Sequence, residues 1–149
     1  MKKLFTISTF ISFAFIIASC GEASKTPTAA VDPNYNPQIG EGKFKDFVMP
    51  ETLDPTKTET GQKVFKVKCS ACHKLTDEKL VGPGWKGVTA KRKAAWIMNF
   101  ITNTDEMINK DPEAQAQLSI CLVRMPNQAL SDDEAQGLVQ FMRQNDISK

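Results

Sequence analysis

Histidine is almost missing from this chain. His73 is the only one in 149 residues, so no site here can use two imidazoles. Long apolar runs are missing too: the uncharged stretch from Leu4 to Ala18 has fifteen residues, whereas a bilayer-spanning helix needs about 20. No segment alternates apolar and polar residues convincingly, so a sheet is not expected. That removes the βαβ setting in which a C-x-x-C pair usually works as a thiol–disulfide centre. Cysteine is confined to Cys20, Cys69, Cys72 and Cys121. Net charge is small, and without Lys2 and Lys3 the count is 17 basic against 17 acidic residues, a formal charge of zero. No bulk attraction to nucleic acid is implied.

The first nineteen residues are read apart from the fold. Lys2-Lys3, the apolar run and the small residues before Cys20 form the n-region, h-region and cleavage site of a secretory signal. The ending Ile17-Ala18-Ser19-Cys20 resembles the lipobox of bacterial lipoproteins, which implies that Cys20 becomes the acylated first residue of the mature chain. The alternative is plain cleavage nearby, with Cys20 a bystander. From Gly21 to about Gly42 the chain is poor in large apolar residues and carries Pro27, Pro33, Pro37, Gly40 and Gly42, which reads as a tether. Such a segment spans roughly 25 Å on average. Phe44, Phe47, Val48 and Met49 then suggest an irregular strap packed on the domain.

From Pro55 onward the pattern is helical. A first helix is expected over 58–69 and a second over 92–102, with Trp96, Ile97, Phe100 and Ile101 on one side. Asp111-Pro112 reads as an N-cap followed by proline at the first helical position, opening a helix to Val123. Ser131 and Glu134 have the spacing of a capping box, opening a last helix to Asn145. Its apolar face is Ala135, Leu138, Val139, Phe141 and Met142. Helices joined by long loops make a poor core unaided, so something else should fill the middle.

Cys69-Ser70-Ala71-Cys72-His73 is the haem-attachment pattern C-x-x-C-H. Residues three apart on a helical turn lie on one side, so two thiols can each add to one vinyl group of a haem. The histidine directly after them is then held as an axial ligand. A zinc site would need four N or S ligands, and only Cys69, Cys72, His73 and Cys121 are candidates besides Cys20. Adjacent Cys72 and His73 fit tetrahedral geometry poorly. With Cys69 and Cys72 committed to haem, Cys121 has no disulfide partner in the domain. It reads as a small buried residue or, alternatively, as an exposed thiol that dimerises the protein.

With one histidine, the other axial ligand has to be something else. Met125, in Arg124-Met125-Pro126-Asn127, lies in a loop between two expected helices, and a thioether is a soft ligand that favours reduced iron. Met49-Pro50 is the competing Met-Pro step, and Met98, Met107 and Met142 read as core.

At these residues the chain from about Pro55 to Asn145 resembles a class I (monohaem) c-type cytochrome domain. The resemblance implies an all-α, cytochrome c-like fold: four to five short helices around one covalently attached haem c. Gly82-Pro83 resembles the Gly-Pro that follows the motif in that family, which implies that the Pro83 carbonyl accepts a hydrogen bond from His73. Met125 matches the family's distal ligand by its order and its following proline. Gly61 and Phe65 resemble the pair on the first helix that crosses the last helix, with Leu138 and Phe141 at the partner positions. Trp85 and Trp96 could pack on the haem, donate to a propionate, or simply fill the core.

The resulting layout is a signal peptide at 1–19, a flexible membrane tether and strap at 20–54, and a cytochrome domain at 55–149. The expected protein is a monomeric, lipid-anchored electron carrier of the cell envelope, facing the periplasm or the outside of the cytoplasmic membrane; it is not an enzyme. Two other classes stay open: a haem enzyme or gas sensor with an open iron site, and a dedicated redox subunit of a membrane respiratory complex. Charge hints at the partner. The sums are −3 over residues 20–56, +7 over 57–93 and −4 over 94–149. The basic block holds Lys63, Lys66, Lys68, Lys74, Lys79, Lys86, Lys91, Arg92 and Lys93 and brackets the motif. It reads as a docking ring for an acidic redox partner, or as a solvated face that balances the propionates.

Overall fold

The computed structural model describes residues 35–148; the signal segment, Cys20 and the first part of the tether lie outside those residues. Among the described residues the regular structure is helical, with no sheet and one isolated antiparallel bridge, His73 to Lys79. Six helices follow in order: α1 (Pro55–Val64), α2 (Val88–Lys91), α3 (Ala94–Thr102), α4 (Thr104–Lys110), α5 (Pro112–Cys121) and α6 (Asp132–Ile147). The all-α expectation holds, but there are six segments where four to five were expected. Helices α2 and α4 are the additions, and at one or two turns each they are too short to show a period.

Local chemistry explains where the longer helices begin. The Asp54 carboxylate accepts from Thr56 N at 2.8 Å and Lys57 N at 3.2 Å, with Pro55 in the first turn. This is the same Asp-Pro start as at α5, where Asp111 accepts from Ala114 N at 2.7 Å. Helix α1 therefore opens before Thr58, where periodicity alone placed it. At α6 the capping box is complete: Glu134 N donates to Ser131 Oγ at 3.2 Å and Ser131 N to Glu134 Oε2 at 2.9 Å.

Helices α1 and α6 cross at glycines. A Cβ on Gly61 would lie 2.0 Å from the Gly137 carbonyl oxygen, and one on Gly137 would lie 2.6 Å from the Lys57 oxygen. Backbone thus meets backbone, which no larger residue permits. Below the crossing, Phe65 and Phe141 pack with ring centroids 5.6 Å apart. Phe65 and Phe141 pair as expected from the sequence, and Gly137 is an addition to that list. Leu138, Val139, Met98 and Met107 are fully buried in the same core.

The packed part of the N-terminal segment begins earlier than composition suggested. The Tyr35 hydroxyl donates to Asp111, and residues 39–44 are held by Asn99, a fully buried polar residue on α3. Asn99 Nδ2 donates to the carbonyls of Ile39 and Phe44 at 3.0 and 3.1 Å, and its Oδ1 accepts from Phe44 N at 2.9 Å. All three of its side-chain hydrogen bonds go to the strap. Asn103 Nδ2 adds a bond to the Glu41 carbonyl, and Glu41 N donates to Met107 Sδ at 2.9 Å.

Candidate haem cleft

The attachment motif sits where α1 ends. Beyond Val64 the helix widens into a π-helical turn, Phe65–Cys69, closed by Ser70 N donating to Phe65 O at 2.9 Å. Cys72 N and His73 N both donate to the Cys69 carbonyl, at 3.0 and 2.9 Å, so the three motif residues share one turn. Cys69 is buried, whereas Cys72 and His73 are half-buried and line a largely apolar cleft of about 250 Å³. Burial pushes the Cys69 thiol up to about 11, against the downward pull of Lys68. A reactive redox thiol is normally shifted the other way, so a thiol–disulfide centre is a poor match.

The segment after the motif folds back over His73. Gly82 N donates to Cys72 O at 2.8 Å and Trp85 N to Lys74 O at 2.9 Å. A Cβ on Gly82 would sit 2.3 Å from His73 Cε1, so only glycine allows this approach. The next residue supplies the orienting contact: His73 Nδ1 lies 2.8 Å from the Pro83 carbonyl oxygen. That oxygen can only accept, which assigns the proton to Nδ1 and leaves the Nε2 lone pair uncommitted. Burial holds the imidazole pKa below its ordinary value, with the Pro83 bond acting in the opposite direction. Trp85 packs beside the ring at 5.4 Å between centroids and against Phe65 at 4.9 Å.

Met125 and Pro126 line the same cleft, together with Ile97 and Ile101 of α3, Leu118 of α5 and Met142 of α6. Met49 instead packs on the core from the strap and is not part of the cleft lining. Met98, Met107 and Met142 are buried. The structure therefore brings Cys72, His73, Pro83 and Met125 to one cavity, with Cys69 on the same turn as Cys72 but buried in the core. Among the described residues, no three His, Cys, Asp or Glu side chains converge on a possible metal position. The zinc alternative has no cluster to occupy. An apolar cleft, paired thiols on one turn, an imidazole with its outer nitrogen engaged and a thioether together fit a haem.

Four residues have placements that the sequence did not reveal. Trp96 lines the cleft, but its Nε1 donates to the buried Asp111 Oδ2 at 3.0 Å. Asp111 thus serves Trp96, Ala114 and Tyr35 at once, well beyond its expected capping role. Cys121 is half-buried and lines the cleft instead of sitting inside the core. Asn99 is the fourth, and the signal for it was an amide in the middle of the apolar run Trp96-Ile97-Met98-Asn99-Phe100-Ile101.

The basic block is partly neutralised by neighbours. Lys63 pairs with Glu59 at 2.7 Å, Lys74 with Glu78 at 2.6 Å and Lys68 with Glu134 at 3.4 Å. Lys79 Nζ donates to the Ile120 carbonyl at 2.8 Å, which joins the post-motif loop to the end of α5. Lys86, Lys91 and Arg92 line the cleft itself. Exposed apolar residues, Leu80 and Val81 on one segment and Ile120, Leu122 and Val123 on the other, flank that bridge. No described helix is long and apolar enough to cross a membrane.

Comparison with known proteins agrees with this geometry. The family model described as Cytochrome c matches residues 58–146. A cytochrome c-551 from Azotobacter vinelandii is 56% identical over 34 residues, a stretch that spans 22% of this chain and 40% of that relative. The chain thus spans about two fifths of the length of that curated relative. A solved cytochrome c from Rhodothermus marinus is 29% identical, with a TM-score of 0.69 over 76% of this chain and 95% of its own. An engineered form of that cytochrome, bound to a carbene intermediate, is similar at a TM-score of 0.63, with 29% identity over 73% of this chain and 92% of its own. By fold, motif and family match, this chain belongs to the cytochrome c family, whose members carry a covalently attached haem c.

Proposed function

We propose that this chain is a one-electron carrier, monomeric and anchored through lipid on Cys20 to an extracytoplasmic membrane surface. In this reading residues 1–19 are a signal peptide, 20–54 a tether and strap, and 55–149 the haem-binding domain. Cys69 and Cys72 would hold the haem through thioether bonds, and His73 and Met125 would ligate its iron. The observation that carries the reading is the 2.8 Å bond between His73 Nδ1 and the Pro83 carbonyl, with His73 and Met125 lining one apolar cleft. When bound, the haem supplies an Fe(III)/Fe(II) couple.

The chain's own residues set the conditions for that couple. Pro83 keeps the His73 proton on Nδ1, so Nε2 remains a neutral donor. Ile97, Ile101, Leu118 and Met142 keep water from the cleft, which lowers the local dielectric and limits reorganisation between charge states. The exposed apolar residues beside the Lys79–Ile120 bridge offer a dry contact surface, with Lys86 and Lys91 nearby to attract an acidic partner, while Arg92 is paired with Glu113. Lys86→Glu with Lys91→Glu should slow reduction of that partner at low salt, since steering of this kind is screened over about 10 Å at 0.1 M.

The deciding experiment is a visible spectrum of the exported full chain. Pigment retained after denaturation, with the red charge-transfer band of a Met–His ferric haem, is the expected result. Loss of the pigment to acidic solvent would refute covalent attachment. A retained pigment without the red band would favour the open-iron reading, that of a haem enzyme or gas sensor.

A further inference from the structure

The loop bearing Met125 has little to hold its shape by itself. Residues 122–131 contain no regular structure, and their internal bonds are local: Gln128 Nε2 to Pro126 O at 3.2 Å and Ala129 N to Asn127 Oδ1 at 2.8 Å. Leu122 and Ala129, on either side of Met125, both take positive φ, 61° and 48°. Side chains of L-residues adopt that region only at a cost, so such a loop stays in place only when tied from outside.

The tie is Arg124, the residue next to Met125. Its Nη2 donates to Asn109 Oδ1 at 3.0 Å, to the Asp105 carbonyl at 3.1 Å and to Asp105 Oδ1 at 3.2 Å. Asp105 and Asn109 both lie on α4. Helix α4 is a firm base: Met107 and Ile108 are buried, and Glu41 of the strap bonds to both Met107 and Asn103. At the other end of the loop, Lys68 Nζ reaches the Gln128 carbonyl at 3.3 Å and pairs with Glu134.

We propose that Arg124 is the positioning residue for the sixth ligand: by clamping the loop to α4 it sets how often Met125 leaves the iron. The inference rests on Met125 being that ligand. A planar guanidinium suits the task because its fork can hold several oxygens in fixed directions, which an ammonium cannot. Arg124 itself lines the cleft, but its guanidinium is committed to α4, so the clamp acts through the backbone that it holds.

Imidazole added to the ferric, haem-loaded full chain reads this population directly, because it binds only where Met125 has left. Its apparent affinity rises in proportion to the displaced fraction. Arg124→Gln should raise that affinity about fivefold, the factor an exposed but multiply bonded ion pair can supply. The red band should weaken in parallel, and Arg124→Lys should restore part of both. Lys63→Gln, which breaks the exposed pair with Glu59, should leave imidazole affinity at the wild-type value. Met125→Ala should raise it far more than Arg124→Gln.

The proposal is overturned if Arg124→Gln stays within about twofold of wild type while Met125→Ala shifts. It is equally overturned if Lys63→Gln produces the same rise, since general loosening would then be the cause. If Met125→Ala leaves both affinity and red band unchanged, the ligand assignment itself is wrong and the clamp falls with it.

Discussion

Replacing Asn99 by alanine is the sharpest test of how the strap is held. The amide makes three bonds to strap backbone: to Ile39 O at 3.0 Å, to Phe44 O at 3.1 Å and from Phe44 N at 2.9 Å. Each such bond contributes about 1 kcal/mol net, and the orphaned backbone groups raise the cost of losing it. Asn99→Ala should therefore weaken strap docking by about 3 kcal/mol, roughly a hundredfold in the docked-to-open ratio. The loss has a ceiling, because a strap that detaches regains water for its backbone. Beyond that point the domain no longer registers the missing amide, and opening becomes local. Two assays separate the cases: urea unfolding gives the global change, and the initial rate of tryptic cleavage after Lys43 and Lys45 gives strap opening. Cleavage should accelerate by one to two orders of magnitude while the global midpoint falls less than the full 3 kcal/mol implies. Cleavage within about twofold of wild type would refute the clasp.

Other outcomes follow from the same geometry. Gly61→Ala should destabilise the fold more than Gly137→Ala, since its Cβ would lie 2.0 Å from a backbone oxygen against 2.6 Å. Costs of about 1–3 kcal/mol or more are expected from denaturant unfolding, with the order as the check. Asp111→Ala removes the acceptor of Trp96, Ala114 and Tyr35 from a fully buried site and should cost about 3–5 kcal/mol in the same assay. Burial, then the bond to Asp111, raises the Tyr35 pKa above its ordinary value of 10. A raised pKa contributes stability that is complete below pH 10 and is lost as pH climbs towards the folded value. The advantage of wild type over Tyr35→Phe should thus stay constant from neutral pH to about 10 and shrink above it, as read by unfolding at stepped alkaline pH.

The attachment motif, the helical class and the starts of α5 and α6 were legible in the amino-acid order because their causes are local. Cys69, Cys72 and His73 share one turn, Asp111-Pro112 and Ser131 with Glu134 cap their own helices, and the periodic face of α6 names its core residues. The short helices α2 and α4 left no legible trace, since one or two turns carry no period. Nor could the order of residues place what depends on distant partners. That Gly137 faces Gly61, that Asn99 holds the strap, and that Asp111 gathers Tyr35 and Trp96 are consequences of packing between residues 76 positions apart for Gly61 with Gly137 and Tyr35 with Asp111, 55 to 60 for Asn99 with the strap, and 15 for Trp96 with Asp111. The tertiary structure alone decided that Arg124 is tied to α4 and that Cys121 lines the cleft. Backbone chemistry acts on near neighbours and can be read in sequence, whereas burial and hydrogen-bond satisfaction are set only when remote surfaces meet.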